Sequence, residues 1–123
     1  MTINEAIRRI DMMKPNSYSN EDKIAWLSKL DGAVKAEIID THEDGEHIVF
    51  EGYDENTPKD TELLICAPYD DIYLYWLESR IDYYNGEYGR YNNTVTTYNS
   101  AYSAYERFYN RAHMPKGDKL KFF

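Results

Sequence analysis

The chain has 123 residues, a formal net charge of −8 and a single cysteine. That length suits one domain with its own core, and a lone Cys66 excludes an internal disulfide framework and points to a reducing cytoplasm. The acidity argues against general nucleic-acid binding, which needs a basic face for the phosphates.

In chain order, Thr2-Ile3-Asn4-Glu5 has the spacing of a capping box, followed by a helical stripe of Ile3, Ala6, Ile7, Ile10 and Met13 that Pro15 and Asn16 stop. Ser19 or Asn20 can cap a second helix, with Glu21 and Asp22 at its positive end. Its apolar positions are Ile24, Leu27, Leu30, Val34 and Ile38, and it is expected to run to about Thr41. Asp44-Gly45 marks a turn. Short apolar runs at 48–50 and 63–66 predict a β-hairpin over about 46–66, too small to stand without a helix beneath it.

Ala67-Pro68-Tyr69-Asp70-Asp71 reads as the start of the last helix. From Leu74 a 3-4 alternation runs through Leu77, Ile81, Tyr84, Tyr88, Tyr91, Val95, Tyr98, Tyr102, Tyr105 and Tyr109, the period of a left-handed packing seam. Because the stripe keeps phase across Gly86 and Gly89, one continuous or mildly bent helix over 70–112 is expected, about 65 Å long. The second helix covers only about half of that length. Either the long helix folds back near 85–89, or part of its seam meets another chain; self-association is the simpler answer, since an uncovered aromatic seam invites aggregation. The fold expected is therefore mainly α, a small helical bundle with one long C-terminal helix and a β-hairpin insertion. It spans 1–115 as one domain, followed by a tail at 116–123.

Charge and tyrosine are both unevenly placed. Residues 37–71 carry twelve acids against one base, Lys59, whereas residues 106–123 carry Arg107, Arg111, Lys116, Lys119 and Lys121 against two acids. Unlike ends suit head-to-tail contact between copies. Eleven of the 13 tyrosines lie between Tyr69 and Tyr109, and tyrosine is enriched at interfaces because it joins a large apolar body to a polar tip. The expected interface comprises Tyr88, Tyr91, Tyr98, Tyr102, Tyr105 and Tyr109 on the helix, with Lys119, Lys121, Phe122 and Phe123 in the tail.

Catalytic patterns are weak. His42-Glu43-Asp44-Gly45-Glu46-His47 lacks the helical zinc spacing and reads as a solvated turn. Asp54-Glu55-Asn56 lacks the glycine and terminal glutamate of a calcium loop. Cys66, without cationic neighbours, is expected to be a small buried hydrophobe and not a nucleophile. Asp70-Asp71 is explained by helix-start electrostatics. No phosphate loop or nucleophile elbow occurs, and no enzyme, metal or cofactor is expected. No apolar run approaches a membrane span, and residues 1–14 lack the apolar stretch of a signal peptide, so a protein kept in the cytoplasm is expected.

The short first helix, the Pro15-Asn16-Ser17-Tyr18 break, the second helix and the Ala67-Pro68-Tyr69-Asp70-Asp71 opening resemble small proteins of phages and prophages of Gram-positive bacteria. Asn85-Gly86-Glu87-Tyr88 and His113-Met114-Pro115 add to the likeness. Nearly the whole chain is similar in layout and short phrases to the head–tail connector (adaptor, head-completion) family. The resemblance implies a structural virion protein forming a homo-oligomeric ring, typically of twelve copies, between portal and tail. Its partners would be further copies of itself, the portal protein and neighbouring neck and tail proteins, with DNA only as passing cargo. It would reside in the virion neck, and in the host cytoplasm during assembly, without contact with a membrane. Two readings stand behind it: a small acidic regulatory protein or DNA mimic that binds another protein and, last, a metal-dependent hydrolase using His42, Glu43, Asp44 and His47.

Overall fold

The capping box closes as the sequence predicts: Glu5 N donates to Thr2 Oγ1 at 3.1 Å and Thr2 N to Glu5 Oε1 at 3.0 Å, starting α1 (Ile3–Met13). In the computed structural model, which describes residues 1–116, this helix buries Ile3, Ala6, Ile7 and Ile10. Ser19 caps α2 (Asn20–Glu37) by accepting from Asp22 N. Beyond Glu37 the chain tightens into 3-10 turns at Ile39–Thr41 and Glu43–His47, so the expected extension of α2 to Thr41 is helical only in part. Ile38 and Ile39 still reach the core.

The long C-terminal helix is two helices, not one. α3 (Ile72–Tyr84) ends in a turn, and α4 (Tyr88–Ala112) folds back along it. Gly86 adopts a φ of 76°, the left-handed conformation that glycine takes without a Cβ clash. Gly86 N donates to Tyr83 O at 3.1 Å and Glu87 N to Asp82 O at 2.9 Å. This pair of bonds forms a Schellman stop, which satisfies the last carbonyls of α3 and reverses the chain. Phase is kept across the turn because both halves of the apolar stripe meet the same core: Leu77 and Ile81 from α3 are buried there, and so are Tyr105 and Tyr109 from α4.

The expected β-hairpin over 46–66 is also corrected. Among the described residues there are only isolated bridges, Thr2 with Glu62 and His42 with Pro115. The backbone donors of the run are claimed elsewhere. Leu63 N donates to Met1 O at 3.0 Å, Tyr53 N to Ser28 Oγ at 2.9 Å, Leu64 N to Asp31 Oδ2 at 3.0 Å and Ile65 N to the Tyr73 hydroxyl at 2.7 Å. The segment is thus sewn to α1, α2 and α3 rather than to itself.

Asp31 is the centre of that sewing. It is buried on α2, and its carboxylate accepts from the hydroxyls of Tyr73 (2.6 Å) and Tyr53 (2.5 Å) as well as from Leu64 N. A buried carboxylate is tolerated only with such a set of donors. In the same way the buried Lys23 ammonium donates to Asp11 Oδ1 at 2.7 Å and Tyr18 O at 2.9 Å.

Candidate protein-interaction surface

The two ends of the bundle differ in chemistry. At one end, Lys14 Nζ lies 2.5 Å from Asp82 Oδ1, and the Tyr18 hydroxyl donates to Asn85 Oδ1 at 2.7 Å. These contacts place the last turn of α1 beside the α3–α4 turn. Met12 (74 % exposed), Met13 (55 %), Tyr83 (44 %), Tyr84 (56 %) and Tyr88 (61 %) all belong to this end. They make up five of the eight exposed large hydrophobic side chains among the described residues. Tyr84 stacks on Trp26 with ring centroids 5.5 Å apart, and Tyr83 meets Tyr88 at 6.1 Å and Tyr91 at 5.3 Å. The Arg80 guanidinium sits 4.4 Å from the Trp76 ring centre and 5.5 Å from that of Tyr83, in cation–π range. The aromatic end is therefore held in place by stacking rather than left to swing in solvent.

The sequence-predicted tyrosines divide along α4. Tyr88 is exposed and Tyr91 partly so, as the interface expectation requires. Tyr98 packs on Trp76 at 5.1 Å, and Tyr102 donates to Glu37 Oε1 at 2.9 Å, both half-buried within the chain. Tyr105 and Tyr109 are core residues. Burial pushes the hydroxyls of Tyr98, Tyr102 and Tyr105 well above the ordinary tyrosine value, with Glu37 reinforcing the first two, so all three stay neutral donors. Lys119, Lys121, Phe122 and Phe123 lie outside the described residues. Sequence reasoning passed over Met12, Tyr83 and Asp31, and it put Met13 on the apolar stripe of α1, where the side chain is instead exposed. Asp31 had a signal, since a carboxylate four residues after Leu27 and three before Val34 falls on the buried stripe of α2.

At the opposite end, Ile48, Leu64, Cys66, Tyr105, Phe108 and Tyr109 line a mainly apolar groove of about 360 Å³. Tyr69 stacks on Phe108 at its edge, with centroids 4.8 Å apart. Cys66 is exposed here, not buried as expected: the neighbouring Ile65 and Leu63 turn inward and leave the thiol outside. Asp44 accepts from His113 Nδ1 at 2.8 Å, a bond that holds the Asp44 carboxyl below its ordinary range. His113 in turn stacks on Tyr109 at 3.8 Å.

The His42–His47 segment does not assemble into a metal centre. Buried His42 has its Nδ1 2.7 Å from Ile38 O, so that nitrogen carries the proton, and Asp44 is turned to His113. Among the described residues no group of three or more His, Cys, Asp or Glu side chains converges to hold a metal. No helix among them is long and apolar enough to cross a membrane. No protein-family model, no curated protein and no solved structure matches this chain.

Proposed function

We propose that this chain is a structural interaction protein, a head–tail connector subunit of a tailed phage that assembles into a ring between portal and tail. The observation that carries the protein-binding reading is the gathering of Met12, Met13, Tyr83, Tyr84 and Tyr88 at one end of the bundle. Aromatic and methionine side chains concentrated on an exposed surface favour protein contact. The aromatic end and the apolar groove, at opposite ends of α4, are unlike surfaces of the kind a ring subunit needs. The phage assignment itself rests on the resemblance in layout and short phrases. In that setting the partners are further copies of the chain, the portal protein and adjacent neck or tail proteins.

The test is light scattering across a range of protein concentrations, with and without Tyr88→Glu. Oligomers that grow with concentration and weaken in the variant are expected. A chain that stays monomeric at every concentration refutes the self-assembling subunit. Deletion of residues 119–123 tests the tail: it is expected to prevent incorporation into particles, and normal incorporation of the shortened chain refutes that role.

A further inference from the structure

The aromatic end and the Cys66 groove lie far apart on one molecule. Tyr88 and Phe108 both sit on α4, twenty residues and about 30 Å apart, so neither can reach the other within a chain. A second copy can bring them together. Resting on the self-assembly reading above, we propose that the aromatic end of one copy, led by Tyr88, inserts into the groove between Cys66 and Phe108 of the next, giving a repeated head-to-tail contact.

Two observations point to this occupant. The first is shape: an apolar groove of about 360 Å³ has room for an aromatic side chain, and Tyr88 is the most exposed tyrosine among the described residues. The second is polar matching. The Tyr109 hydroxyl, on a buried residue lining the groove, has no hydrogen-bond partner among the described residues. That hydroxyl is enclosed in the free chain, and a side chain that enters the groove with an apolar body and one polar tip, as a tyrosine does, can supply the partner it lacks. Charge is mixed at both ends: Glu43 and Asp44 share the groove end with His113, Arg107 and Arg111, Asp70 beside Tyr69 is paired with the Met1 ammonium at 3.6 Å, and exposed Arg8 shares the aromatic end with Glu21 and Asp22.

Because the two halves of the contact differ, it is heterologous: a growing assembly keeps one free groove at one end and one free aromatic end at the other, so growth continues until a ring closes or, where the rotation does not close, runs on as a filament. This distinguishes it from a twofold dimer, in which like meets like.

The experiment uses Gly89→Cys. A Cβ at Gly89 meets nothing within 4 Å, so the change places a second thiol beside an intact Tyr88. Oxidation of this variant is expected to give a ladder of linked dimers, trimers and larger species whose bonds join position 66 to position 89. Adding Cys66→Ser is expected to remove the ladder. In a second arm, Tyr88→Glu and Phe108→Glu each weaken association about tenfold or more, while a mixture of the two forms dimers through the one intact pair of surfaces. Chains that associate but link only 66 to 66 or 89 to 89, or a mixture no more associated than its parts, overturn the head-to-tail contact and leave self-assembly standing. Monomers at every concentration overturn both.

Discussion

Replacing Asp31 with alanine tests the centre of the fold most directly. The carboxylate accepts from the Tyr73 hydroxyl at 2.6 Å, the Tyr53 hydroxyl at 2.5 Å and Leu64 N at 3.0 Å. Tyr73 is fully buried, so its stranded hydroxyl costs about 2 kcal/mol, while the half-buried Tyr53 and Leu64 cost nearer 1 kcal/mol each because water can reach them. Relief from burying a carboxylate returns about 1 kcal/mol. The net loss is about 3 kcal/mol, a melting-temperature fall on the order of 12 °C for a domain of this size. Urea denaturation followed by far-UV circular dichroism measures it. An alanine variant within about 0.5 kcal/mol of the parent would refute the claim that Asp31 organises the 53–65 segment.

Acidity offers a second handle on the same residue. Burial raises the Asp31 carboxyl above its ordinary value of 3.8, outweighing the hydrogen bonds from Tyr53, Tyr73 and Leu64 N that favour the ionised form. The folded state therefore holds this proton more tightly than the unfolded chain. The associated stability is fully present below the unfolded value and is lost as pH rises through the folded one. Relative to Asp31→Asn, the parent should gain stability as pH is lowered from neutrality toward 3.8, and little further below it. Parallel stability curves for the two proteins would contradict this.

Other outcomes follow from particular contacts. Gly45→Ala places a Cβ 2.0 Å from the Ile39 carbonyl oxygen, a backbone atom, and is expected to cost at least about 2 kcal/mol. Gly89→Ala, in the open first turn of α4, should instead stabilise by about 0.5–1 kcal/mol; both are read by urea denaturation. Lys14→Ala strands the buried Asp82, which keeps only the Thr94 hydroxyl at 2.8 Å, and should cost about 3 kcal/mol, with Asp82→Asn recovering part of the loss. Exposed Cys66 should react with a chromogenic disulfide reagent in the native protein as fast as in urea, and slow native labelling would return the thiol to the core.

The sequence alone determined the elements whose signals are local. The Thr2–Glu5 capping box, the Ser19 cap and the apolar stripes of α1 and α2 each lie within a few residues of the bonds they make, so their spacing reveals them. The aromatic bias of the C-terminal half was equally legible. Tertiary structure decided the rest. A 3-4 stripe that keeps phase describes a straight helix and a folded pair equally well, and the choice fell to Gly86 at a φ of 76° together with a core that both helices could share. That sharing turned Tyr105 and Tyr109 from expected interface residues into core ones. The hairpin gave way because Asp31 and Tyr73, 42 positions apart, took up the donors that strand pairing would have used. A backbone N–H can satisfy only one strong partner, and which distant side chain arrives to claim it is settled by how the helices pack.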